Sequence, residues 1–152
     1  MHYPISFTDG VRLALKAAKE EAWALDQEYV DTEHILLGLL HAEVEVAPPV
    51  LARLGVDVDA LRPSLLSELP KGEFGSTDSL GAERPFTQRA KKLLDRALQR
   101  SHELNERKTG RGHLLLAMLR EREGLAARVL VRHWLSEARL QEDPGTEPPV
   151  AP

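Results

Sequence analysis

Asp31, Glu33 and His34 stand within four positions of one another, and together they could do chemistry. A carboxylate beside an imidazole can move protons, and two carboxylates with a histidine can begin a metal site. A second histidine, His113, follows 79 positions after His34, with no adjacent Asp, Glu or Cys cluster, which weakens a shared metal site. Cysteine is absent, so disulfides, thiolate ligands and cysteine nucleophiles are all excluded. No serine stands in a G-x-S-x-G turn, and no G-x-x-x-x-G-K-[ST] phosphate loop occurs. A small hydrolase or metal enzyme built on Glu33 and His34 is therefore the weaker expectation. The plainer role for both histidines is structural. Each sits just inside a helix start, where its ring can bond the loop backbone and fix the helix entry. Arg89, Lys91, Lys92, Arg96 and Arg100 form a basic run, expected to be a solvated helix face or a docking surface for acidic partners.

The elements that must position these residues come as a repeat. Thr32 to Leu40 reads T-E-H-I-L-L-G-L-L, and Arg111 to Leu119 reads R-G-H-L-L-L-A-M-L. The same 79-residue offset pairs Phe7-Thr8 with Phe86-Thr87, Leu15 with Leu94, Ala18 with Ala97 and Leu25 with Leu104. It also pairs Val50 with Val129, Leu51 with Leu130 and Arg53 with Arg132. An ungapped match from Phe7 to Arg53 marks two copies of one unit, and a repeat governs the fold.

Composition supports helices. The 152 residues are 42% hydrophobic and only 5% aromatic, so Leu, Val and Ala must make the core. The net charge of −4 gives no footprint for nucleic acid. No run of about 20 apolar residues could span a membrane. Met1-His2-Tyr3-Pro4 is not the start of an export signal, which points to the cytoplasm.

Thr8 predicts an N-cap, followed by an amphipathic face at Val11, Ala14, Leu15, Ala18, Ala22 and Leu25. Thr32 is expected to cap the next helix, with Glu33 in its first turn. That helix is apolar on most sides and belongs at the centre of a bundle. Pro48-Pro49 predicts a short third helix to Leu54, and Asp57 or Asp59 a fourth to Leu69. Residues 70–85 read as a linker with three glycines and two prolines. Thr87 then caps the second copy, whose central helix is expected over His113 to Leu119. Gly124 to Trp134 and Ser136 to Gln141 complete it. Pro144 to Pro152, with four prolines, reads as a disordered tail. The domain is thus expected over 1–143, with repeats at 5–69 and 86–142. Each unit is marginal in size, so the two should close on one another with pseudo-twofold symmetry.

The paired F-T, T-E-H-I-L-L-G-L-L and R-P-F-T-Q-R-A-K-K (Arg84 to Lys92) resemble the double Clp-N domain. This is the N-terminal domain of Clp ATP-dependent unfoldases, nearest the ClpC type, and the likeness covers about residues 5 to 141. It implies an all-α, eight-helix pseudo-twofold bundle, monomeric when isolated, without cofactor or catalysis. It implies docking of adaptor proteins and protein substrates for a Clp unfoldase and protease. It also implies pockets for phosphorylated arginine, matched here by Thr8 and Glu33 in the first repeat. In the second, Thr87 remains, but Gly112 stands where the glutamate would be and Arg111 replaces the threonine cap. The resemblance therefore implies at most one working pocket. Two settings fit: a module excised from a larger unfoldase, or a stand-alone decoy or regulator acting on the Clp protease in trans.

Overall fold

The computed structural model describes residues 7–46, 49–69 and 84–142. Residues 70–83 of the expected linker, the tail 144–152 and Pro48 lie outside them. Among the described residues seven α-helices are present: α1 Asp9–Ala24, α2 Thr32–Glu45, α3 Val58–Glu68, α4 Gln88–Glu103, α5 Arg111–Glu121, α6 Leu125–Arg132 and α7 Glu137–Glu142. A 3₁₀ turn, Ala52–Leu54, makes the eighth helical segment. No β-strand occurs among the described residues.

The first helix of each repeat is built alike. The Thr8 hydroxyl accepts from the Val11 amide at 3.2 Å, and the Thr87 hydroxyl from the Ala90 amide at 3.0 Å. Both helices end on a residue of positive φ, Asp26 and Asn105, each 18 positions after its threonine. There Gln27 donates to the Ala22 carbonyl, and Glu106 to the Ser101 carbonyl, both at 2.9 Å. This closure satisfies carbonyls that a helix end leaves open.

The expected third helix is corrected. Only Ala52–Leu54 is helical, as a 3₁₀ turn. Its entry is held by the buried carboxylate of Glu43, which accepts from the amides of Val50, Leu51 and Ala52 at 2.9, 3.0 and 2.7 Å. A side chain from α2 takes the amides that a longer helix would have used.

The core lies around α2 and α5, whose Ile35, Leu36, Leu37, Leu114 and Leu115 are fully buried. α1 presses on α2 so closely that a Cβ on Gly38 would lie 2.0 Å from the Ala14 carbonyl oxygen. Glycine is required there by the approach of backbone to backbone.

The halves join by exchange. Phe7 bridges to Thr109, and Val30 to Phe86. The Thr8 amide donates to the Thr109 carbonyl and the Thr87 amide to the Val30 carbonyl, both at 3.0 Å. Positions 7 and 86, and 30 and 109, are equivalent under the offset, so the two contacts are one contact repeated by a twofold. Each repeat thus starts its first helix on the segment that precedes its mate's central helix.

Candidate functional site: an acidic cluster at the repeat junction

This exchange decides which residues meet. The cap threonine that reaches the α2 entry is Thr87, from the second repeat, and its hydroxyl donates to the Asp31 carboxylate at 2.9 Å. Thr8 sits across the twofold, on the segment leading into Arg111 and Gly112. Of the residues expected to form one pocket, Glu33 therefore lies beside the Thr87–Asp31 contact, and Thr8 bonds the Thr109 segment that leads to Gly110 and Gly112.

The cap of α2 is also corrected. Asp31, not Thr32, is the N-cap, and its carboxylate accepts from the Thr32 amide at 2.8 Å. His34 completes the cap by accepting the Asp31 amide on Nδ1 at 2.9 Å. His113 does the same for Gly110 at 2.8 Å. Both imidazoles therefore act as helix-entry braces, as their position in the sequence suggests. With Nδ1 accepting, the His34 proton rests on Nε2, which is buried without a partner. Burial pushes its pKa down to about 4. α5 likewise begins two residues before the expected His113, at Arg111, with Gly110 as a cap that has no side chain.

Around Asp31 gather Glu33, Glu121 and Arg89. Arg89, at the start of α4, lies 3.5 Å from the Glu121 carboxylate at the end of α5. Burial, with the charges of Asp31 and Glu121, pushes the Glu33 carboxyl up to about 7. Burial, and then Asp31, raises Glu121 as well. Gly124 leaves room for this cluster. A Cβ there would lie 2.3 Å from Glu121 Oε1 and 3.2 Å from Thr32 Oγ1. That Thr32 hydroxyl is buried and has no partner. Three carboxylates against Arg89, with Arg96 acting more weakly on Glu121, form a site short of positive charge. Beside it lie a hydroxyl and the amides of a helix start. A ligand with a cationic, planar donor end and an anionic end would satisfy both.

The second junction has the opposite character. Under the offset, Asp31, Glu33 and Glu121 correspond to Gly110, Gly112 and Ala42, so all three carboxylates are gone. Thr32 corresponds to Arg111, whose side chain is buried and donates to the Val46 carbonyl at 3.3 Å. A guanidinium of the chain itself thus lies beside the α5 start, where the first junction has a hydroxyl and open carboxylates. Sequence inspection assigns Thr8, Glu33, Thr87 and Gly112 to the pockets, names Asp31 only beside His34 and Arg89 only in a basic run, and misses Glu121. Asp31 carries a legible signal, since aspartate three residues before a helix-entry histidine is a strong cap. Arg89 and Glu121 carry none, because their counterparts are Gly10 and Ala42.

Among known proteins, a sequence profile described as the Clp repeat (R) N-terminal domain matches residues 6–133. The chain is 37% identical over 124 residues to the chaperone protein ClpC1, chloroplastic, of Arabidopsis thaliana. That match covers 82% of this chain and 13% of the relative. The chloroplastic ClpA homolog of Brassica napus matches equally, over 14% of its length. The chain therefore spans about a seventh of these curated relatives. The solved N-terminal domain of ClpD from Arabidopsis thaliana superposes with a TM-score of 0.71 at 22% identity, covering 93% of this chain and 95% of that one. The N-terminal domain of the ClpV1 ATPase from E. coli gives 0.68 at 26% identity, over 90% and 82%. With two copies of one helical unit, joined by a twofold exchange and matched along most of its length, the chain belongs to the Clp repeat N-terminal domain family.

Proposed function

We propose that this chain is a non-catalytic docking module that presents protein substrates and their adaptors to a Clp-type unfoldase in the cytoplasm. Within it, the junction of Thr87, Asp31, Glu33 and Glu121 is the site for a phosphorylated arginine side chain. The observation that carries this reading is the acid cluster itself, half-buried at a helix start and underneutralised by Arg89. Glu33 and Glu121 would accept the guanidinium through parallel hydrogen bonds. Arg89, released from Glu121, and the first amides of α4 would face the phosphate. The second junction, filled by Arg111, would take none.

Calorimetry with a phosphoarginine peptide tests this. One site per chain is expected, and Glu33→Ala is expected to abolish binding while circular dichroism shows the helices intact. Unchanged affinity in that variant would remove Glu33 from the site. Failure of the folded protein to retain either the peptide or Clp unfoldase subunits in a pull-down would overturn the docking role.

A further inference from the structure

The space between α4 and α5 is a groove of about 230 Å³. Leu116 and Ala117 give it an apolar side, and Arg96, Arg100, Arg120 and His113 line it together with one acid, Glu103. The corresponding helices of repeat one, α1 and α2, close on each other more tightly, for two reasons that the offset makes plain. First, Ala117 stands where repeat one has Gly38, the residue that lets α1 close on α2. A methyl group at that position holds α4 away from α5, and these two helices are much less closely packed.

The second reason is charge. In repeat one the buried Glu21 carboxylate knits three helices together. It accepts from both terminal nitrogens of Arg62, at 2.7 and 3.1 Å, and contacts His41 at 2.9 Å. The equivalents of Glu21 and His41 are Arg100 and Arg120. An acid with a basic neighbour has become two guanidiniums, which cannot pair with each other. Arg120 turns outward to Glu137 at 2.7 Å. Arg100 is left with Glu103 at 3.7 Å, and its Nε–H is buried without an acceptor. Arg96 makes no ion pair among the described residues and feels only the more distant Glu121 carboxylate. His113 meets Glu106 at 2.8 Å, so the positive charge left over beside Leu116 and Ala117 is that of Arg96 and of the unpartnered Arg100 Nε–H, on a chain whose net charge is −4.

We propose that the α4–α5 groove docks an acidic segment of a partner polypeptide. One carboxylate of that segment takes the place that Glu21 fills in repeat one, and a neighbouring aliphatic side chain rests on Leu116 and Ala117. Charge complementarity of this kind sets register and orientation, and it weakens as salt screens it. The inference rests on the docking role above but not on its phosphoarginine pocket.

The test uses two unmarked fluorescent peptides in anisotropy titrations. One carries glutamates around a leucine, and the other carries glutamines in their place. The expected result is binding of the acidic peptide that weakens between about 50 and 300 mM salt, with the glutamine peptide about tenfold weaker or worse. Arg100→Glu and Arg96→Glu each lower the acidic peptide's affinity about tenfold. Both positions reach solvent, so folding is expected to survive. Glu33→Ala leaves this binding unchanged. Equal affinity for the two peptides, no binding of either, or wild-type binding by both charge-reversal variants overturns the proposal. Acidic-peptide binding without phosphoarginine binding would uphold the groove and sink the pocket.

Discussion

Two adjacent side chains, Glu33 and His34, carry opposite pH dependences from the same physical cause. Burial disfavours the charged form of both, which raises the acid and lowers the base. Glu33 goes from an ordinary value of 4.5 to about 7, so the folded state binds the extra proton within that window. Its ionisation costs nothing below 4.5 and its full amount above 7, so stability falls as pH rises between them. His34 drops from 6.5 to about 4. Its contribution is whole above 6.5 and is lost as pH falls toward 4. The two trends oppose each other in wild type. Glu33→Gln removes one of them, and its melting temperature should rise relative to wild type above pH 7, by an amount equivalent to roughly 1–3 kcal/mol. Below pH 4.5 the difference should vanish. A constant difference across that range would mean that Glu33 is not desolvated. The same ionisation governs the proposed ligand. A guanidinium needs the carboxylate, so phosphoarginine affinity should weaken as pH is lowered from 8 to 6.

Among the elements, the contrast between the helix pairs α1–α2 and α4–α5 turns on one methyl group. Gly38→Ala would drive a Cβ against the Ala14 carbonyl, which is backbone and cannot swing away. Overpacking of this kind should cost roughly 3 kcal/mol, visible as a lower denaturant midpoint. Ala117→Gly, its mirror across the twofold, should cost only roughly 1 kcal/mol, the entropy of glycine in a helix. Similar costs for the two substitutions would contradict the asymmetry from which the groove follows. Charge tells the same story along these helices. Glu21 seals the first pair with Arg62 and His41, whereas Arg100 leaves the second pair open.

At the level of the whole molecule, the twofold exchange makes two junctions, and their side chains make them unequal. The first has gathered acid from α2 and α5, while the second has lost every carboxylate and buried Arg111. Restoring the first pattern in the second junction is a direct check. The double variant Arg111→Thr, Gly112→Glu should raise phosphoarginine stoichiometry from one to two per chain, read by calorimetry, with the original site unchanged. A stoichiometry that remains at one, in a variant with wild-type helicity, would show that Ala42 and Gly110 also disable the second junction. Two sites in the wild-type protein would contradict the role assigned to Arg111.

Most of the fold was legible in the order of residues, because helix periodicity, caps and a repeat are local signals. Thr8 and Thr87 announce their helices, and the apolar run from Ile35 to Leu40 announces a central one. His34 and His113 announce helix entries because an imidazole three residues past a cap brings its Nδ1 onto the cap's backbone amide. The third helix was not legible, since Glu43 competes for its amides from another element. Nor was the composition of the junction. Sequence places Thr8 and Glu33 in one repeat, but only the twofold exchange decides which threonine faces which acid. The open groove likewise follows from replacing Gly38 by Ala117 and Glu21 by Arg100. Such substitutions acquire meaning only once helix–helix distance and burial are known.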